Sequence, residues 1–135
     1  MKRMRGYIYS REFMGDRVPQ HIQNIVVRNY CNIHQFSYML SSTEYAMQDC
    51  HLMLMQLLEN MQNIDGVVAY SLFQLPQSTN VRNEVYKAIL SQNKEIHFAV
   101  EGMQVFDEAS MERVEILIRV KQVLNMAPNS SGGPS

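Results

Sequence analysis

Cysteine is scarce in this chain: two in 135 residues, Cys31 and Cys50. That excludes a disulfide-stapled secreted scaffold and leads us to expect a reducing, cytoplasmic location. The thiols read as small apolar core residues. Neither stands at a metal-type spacing, nor do His34, His51 and His97, so no metal is expected. A glycine-rich phosphate loop is missing too. Gly15 stands alone in its segment, and no cofactor is expected. No run is long and apolar enough to span a bilayer, and no apolar stretch of a signal peptide follows Lys2, Arg3 and Arg5. There is no basic excess either. Twelve Lys and Arg against thirteen Asp and Glu leave a formal charge of −1, so no nucleic-acid partner is expected.

What is present is a globular composition, 46% hydrophobic and 19% charged. One domain is expected over residues 1–126, with a disordered tail from Ala127 through Gly132, Gly133 and Pro134. Tyr7-Ile8-Tyr9 alternates aromatic and branched residues and predicts a buried central strand. A turn at Gly15-Asp16 leads to Pro19 as the first residue of a helix over 19–34, with Ile22, Ile25, Val26, Tyr30 and Ile33 as its apolar face. Phe36 to Leu40 reads as a second strand. Ser41 with Glu44 has the form of a capping box, opening a helix that reaches Asn63. Val67 to Tyr70 is a third strand, continuous and apolar as in sheets covered on both faces. Ser78 or Thr79 caps a helix over 80–92, Glu95 to Val100 is a fourth strand, and Asp107 caps a last helix to Met126. Strand and helix alternate, with crossovers long enough for parallel pairing. The fold expected is α/β: a small doubly wound, mainly parallel four-stranded sheet with helices on both faces and a long C-terminal helix.

In such sheets ligands bind outside the carboxyl ends of the strands. That edge would collect Ser10, Arg11 and Glu12 after the first strand, Ser42, Glu44 and Tyr45 after the second, Tyr70 and Ser71 after the third, and Glu101 after the fourth. Gln20 and His21 would join them from the first helical turn. Three of these have catalytic chemistry. Ser10 would be a nucleophile given a base within reach. His21, at a helix N-terminus that disfavours its cation, would be a general base. Glu44 would be a general acid or base, although the capping box already accounts for it. The rest suit ligand binding: Arg11 as a paired donor to phosphate or carboxylate, Tyr45 and Tyr70 through ring or hydroxyl, and Glu12, Gln20, Ser42, Ser71 and Glu101 as polar contacts. An ion pair of Arg11 with Glu12 or Asp16, and tyrosines packed in the core, are the plain structural alternatives.

The stretch Arg5-Gly6-Tyr7-Ile8-Tyr9-Ser10-Arg11-Glu12-Phe13-Met14-Gly15, the turn Val18-Pro19-Gln20-His21 and the segment Tyr70-Ser71-Leu72-Phe73-Gln74-Leu75-Pro76 resemble recurrent segments of the sporadic carbohydrate cluster proteins. That resemblance implies bacterial surface-carbohydrate biosynthesis, with a sugar, sugar-phosphate or sugar-nucleotide ligand bound or transformed at the sheet edge. A non-catalytic module docking on a larger biosynthetic enzyme is the alternative, motivated by the Met-rich second helix and by Phe73 and Leu75. The order of elements also resembles the catalytic domain of serine recombinases, the resolvases and invertases, which open with Gly-Tyr-x-Arg-x-Ser. Here Tyr9 stands at the arginine and Ser10 falls one residue short of the serine. Ser71-Leu72-Phe73-Gln74-Leu75 lacks the arginines of that family's Asp-Arg-x-x-Arg stretch. A phosphodiester transition state would then lack its charge stabilisation, so this resemblance implies architecture and not recombination.

The last helix carries Val114, Ile116, Leu117, Ile118, Val120, Val123 and Leu124, more apolar positions than one sheet face buries. A homodimer or higher oligomer through this helix is expected, with Ile118 at the contact.

Overall fold

Alternation along the first strand decides which helix goes where. The computed structural model describes residues 1–15 and 17–126, so Asp16 and the expected tail at 127–135 lie outside the described residues. Strand β1 is Arg3–Tyr9. Its Tyr7 and Tyr9 side chains join one buried cluster, and Met4 and Ile8 join another. The second cluster is completed by Val27, Tyr30 and Cys31 of helix α1, Gln20–Ile33. The first is completed by helices α2, Leu52–Glu59, α3, Thr79–Ser91, and α4, Glu108–Met126. Side chains on successive strand residues point to opposite faces, so a strand apolar at both parities needs helices on both sides.

The sheet has five strands in the order β2-β1-β3-β4-β5. Strands β2, Ser37–Glu44, β3, Gly66–Ala69, and β4, Glu95–Phe98, run parallel to β1. The fifth, β5, is Met103–Val105 and runs antiparallel to β4, which corrects the expected four strands. Gly102 takes φ +65 and its N–H donates to the Phe98 carbonyl (2.9 Å), so the chain reverses at once along β4. Three residues are too few to show a period of two, and the hairpin was invisible for that reason.

Two helices differ from expectation. The segment from Ser41 to Glu44 continues β2, because Tyr7, Ile8 and Tyr9 pair with Ser42, Thr43 and Glu44. The second helix is therefore only Leu52–Glu59, and the capping box at its supposed start is strand. In α1 the buried residues are Gln23, Val27, Tyr30 and Cys31, while Ile22, Ile25 and Ile33 are exposed. The helix is rotated so that the Gln23 amide meets the backbone of Tyr9, an attraction that hydrophobic spacing does not register. The other two helices start as expected. Ser78 accepts from the Val81 N–H (3.3 Å), and Asp107 accepts from the Ser110 N–H (2.8 Å). No described helix is long and apolar enough to cross a membrane.

Gly6 marks an irregularity on which this register depends. Arg5 pairs with Met39 and Tyr7 with Ser42, so Leu40 and Ser41 face Gly6 alone. A β-carbon built on Gly6 would lie 2.1 Å from Ser41 Oγ and 3.2 Å from Ser41 Cα. The bulge closes onto bare backbone. Gly6→Val is expected to cost about 1–3 kcal/mol by overpacking, measured as a lower urea midpoint. Ser41→Gly in the same chain should recover part of that loss, and an unchanged midpoint in the single variant would show that β2 yields.

Ile118 is 6% exposed within its own chain, so it is a core residue and not a contact between copies. The apolar residues that α4 leaves exposed are Ile116, Val120, Val123 and Leu124. Light scattering at micromolar concentration is expected to give more than a monomer mass, and Val120→Glu to restore the monomer. Ile118→Glu should unfold the chain instead; a folded, monomeric Ile118→Glu would contradict its burial.

Candidate functional site at the carboxyl edge of β1

Beyond Tyr9 the chain leaves the sheet, and Gln23 takes over the role of a neighbouring strand. Its Oε1 accepts from the Tyr9 N–H (2.9 Å) and its Nε2 donates to the carbonyls of Tyr9 (2.9 Å) and Val18 (2.8 Å). The Gln74 amide donates to Gln23 Oε1 (2.9 Å), tying the turn after β3 to the same point. On the other face the Tyr9 hydroxyl donates to the Gln74 carbonyl and lies 2.7 Å from His51 Nε2. Which of the two donates in the Tyr9–His51 pair depends on the His51 tautomer. Burial first, then the Arg11 guanidinium, push the His51 pKa down, so the ring is neutral at neutral pH.

Of these groups Tyr9 and His51 line a cavity of about 310 Å³, together with Arg11, Glu12, Arg17 and Asp49 among others. The Arg11 guanidinium lies 4.1 Å over the Tyr9 ring and donates to the Tyr45 carbonyl (2.8 Å). Its position is thereby held on two sides. Glu12 is 4.0 Å from Arg17, an exposed pair of little strength. Phe73 also lines the cavity.

Several residues expected at the edge are used otherwise. Glu44 is buried, with its carboxylate accepting from the Tyr7 hydroxyl (2.8 Å) and from the N–H groups of Tyr45 (3.1 Å), Met53 (3.0 Å) and Leu54 (3.2 Å). Burial alone would raise its pKa. The Met53 N–H, the Tyr7 hydroxyl, and the Leu54 and Tyr45 N–H groups outweigh that and hold it below the usual range. Glu101 accepts from the Ser71 hydroxyl (2.7 Å) and the Leu72 N–H (2.9 Å), fastening the 3-10 turn Leu72–Gln74. Ser10 donates to the Glu44 carbonyl (2.7 Å) and is not in the cavity lining. Ser42 is buried in β2 opposite Tyr7. Tyr70 packs edge-on to Phe13 at 6.0 Å. Gln20 and His21 are exposed at the start of α1, and neither lines the cavity. Of the expected residues, then, the fold brings Arg11 and Glu12 to the cavity, with Tyr45 behind Arg11. Tyr9, Arg17, Asp49 and His51 were missed. The spacing Gln23, Val27, Tyr30, Cys31 was the one signal of how α1 faces this corner. Among the described residues no three His, Cys, Asp or Glu side chains are grouped to hold a metal ion.

No family model matches this chain, and no curated protein matches it. Solved structures do. The N-terminal catalytic domain of TP901-1 integrase is similar at 15% identity, over 88% of this chain and 95% of that one, with a TM-score of 0.60. A resolvase family site-specific recombinase from Streptococcus pneumoniae is similar at 7% identity, over 88% of each chain, with a TM-score of 0.64. At these identities the likeness is one of fold. It bears out the recombinase-like architecture and corrects the carbohydrate reading, which nothing matched supports. The expectations of a sugar or sugar-phosphate ligand, of a carbohydrate-biosynthesis module and of no nucleic-acid partner are corrected with it. There is a physical side to this correction. Glu44 and Glu101 accept from backbone N–H groups and the Ser71 hydroxyl donates to Glu101, so these expected polar contacts are spent within the protein.

Glu44→Gln tests that structural role. An amide cannot accept at both oxygen positions, so the N–H groups of Tyr45 and Met53 would face an NH₂. The expected loss is about 1–3 kcal/mol for each donor left unmatched, measured by urea unfolding at pH 7. Because the folded pKa is depressed, the wild-type contribution is complete above the unfolded glutamate value of about 4.3. It is lost as pH falls below that value through the folded pKa. The Gln variant should lack this acid-sensitive part, and equal acid sensitivity in both proteins would remove Glu44 from the argument.

Proposed function

We propose that this chain is a recombinase-like domain that binds the phosphodiester backbone of DNA at the carboxyl edge of β1, with Arg11 and Arg17 as the phosphate contacts. The carrying observation is the pair of guanidinium groups in one cavity at the end of the first strand of this fold. Both similar structures are described as recombinase or integrase domains, which supports DNA as the source of the phosphate. Two free cysteines fit a cytoplasmic setting.

The arrangement favours holding DNA over cutting it. Ser10 is turned to the Glu44 carbonyl, and among the described residues its hydroxyl is hydrogen-bonded to no base and no guanidinium. Arg82, deep in the protein, is committed to Glu115. Among the described residues the charged side chains lining the cavity are Arg11, Arg17, Glu12 and Asp49. A phosphate therefore binds by replacing Glu12 at Arg17, and not by entering a region of free positive charge.

Anisotropy of a labelled DNA checks this. Binding should weaken with salt at a log–log slope of about −2, as two phosphate contacts require. Arg11→Ala with Arg17→Ala should abolish it, and Glu12→Gln should tighten it. Unchanged binding in the double arginine variant would place the contact elsewhere. A covalent adduct with nicked DNA that disappears in Ser10→Ala would overturn the non-cutting part.

A further inference from the structure

The cavity at Arg11 does not end at Phe73. A second cavity of about 370 Å³ adjoins it, and Met14, Phe73, Leu75 and Gln77 line both. Beyond them the wall is Leu72, Pro76 and Ile118, and then Lys121, which α4 holds exposed. Arg82 also lines this part, but its guanidinium is occupied by Glu115 and by the carbonyls of Pro76 and Gln77. The joined space thus has Arg11 and Arg17, with Glu12 and Asp49, in one part and Lys121 in the other, and Met14, Phe73, Leu75 and Gln77 are common to both. Phe73 is only partly buried, and the first turn of the 3-10 segment holds it in place: its N–H donates to Ser71 Oγ (3.1 Å), which Glu101 fixes in turn.

We propose that these two cavities together hold one unpaired nucleotide of a DNA strand. Its base lies on Phe73, one flanking phosphate is at Arg11 and Arg17, and the other is at Lys121. This deepens the DNA-binding reading above and rests on it. Every base has an apolar face that stacks on an aromatic ring, and in a strand each base is bracketed by two phosphates. A paired base offers no free face, because its neighbours in the duplex already cover it. The same chemistry could come from a free mononucleotide, which carries a base and one phosphate. The cation in each part favours the strand.

The test uses the full chain, a labelled oligothymidine, a duplex of equal length and free dTMP. Wild type is expected to bind the single strand more tightly than the duplex. Phe73→Leu keeps an apolar side chain against the core while removing the stacking ring. It should weaken single-strand binding about tenfold, within the range for one lost base–aromatic stack, and leave duplex binding unchanged. Phe73→Tyr should restore it. Lys121→Ala should reduce the single-strand salt slope by about 0.7. Equal effects of Phe73→Leu on both forms, or none on either, would overturn the nucleotide pocket while leaving the phosphate contacts standing. Free dTMP competing as well, per nucleotide, as the oligothymidine would overturn the assignment to a strand. If wild type binds neither DNA form, the DNA-binding reading itself falls.

Discussion

One buried carboxylate connects three elements of this fold. Glu44 ends β2, its oxygens receive the Tyr7 hydroxyl from β1, and the same oxygens receive the N–H groups of Met53 and Leu54 from the first turn of α2. A helix start exposes unpaired donors and the positive end of its dipole, and α2 has no capping side chain at its own N-cap, His51. The cap comes instead from another element, which fixes α2 against the sheet. His51 immediately precedes this helix, so its place beside Tyr9 follows from the same carboxylate. The cavity wall is therefore set from within the core.

A second polar assembly fixes the end of β1. Gln23 matches the free N–H and C=O of Tyr9 with one planar amide, as a strand residue would. Gln74 joins it from the turn after β3. These glutamines are fully buried. The Gln23 amide is bonded at both ends, and a buried amide so matched constrains position more sharply than apolar packing does. Arg11 leaves the strand directly after this clamp. Its guanidinium has a ring beneath it and a carbonyl beside it, an arrangement that presents a cation without requiring a carboxylate to hold it.

Much of the fold was legible because it rests on periodicity. The Tyr7–Tyr9 strand, the apolar Val67–Ala69 strand and the helices capped by Ser78 and Asp107 all follow local rules that the structure obeys. The failures share a cause. Ser41-Ser42-Thr43-Glu44 has a perfect local capping pattern, yet pairing with β1 outweighs it. The isoleucines of α1 make the more hydrophobic face, yet Gln23 turns the helix away from them. The candidate site suffered more than the fold. Its polar residues were judged by their place along the chain, and place does not reveal whether a carboxylate points outward or back to a backbone N–H. Glu101 and Glu44 point back. His51 was dismissed for lacking metal spacing, although its partner is Tyr9, 42 residues away.

Charge was the most misleading average. A net value of −1 spread over the chain says little about one cavity, because screening confines each charge to about 10 Å or less in physiological salt. What matters to a bound phosphate is whether local guanidinium groups have partners better than the phosphate itself. Arg82 has such a partner: Glu115 grips it by two nitrogens in a nearly dry setting, at 2.8 and 2.9 Å. Among the described residues the carboxylate paired with Arg17 is Glu12, 4.0 Å away with both side chains mostly in water. Arg11 is bonded to a neutral carbonyl, which leaves its charge uncompensated by that contact. The same residue type is thus bound in a buried ion pair at 82 and in weaker or neutral contacts at 11 and 17, and the difference lies in the burial and geometry of the partner.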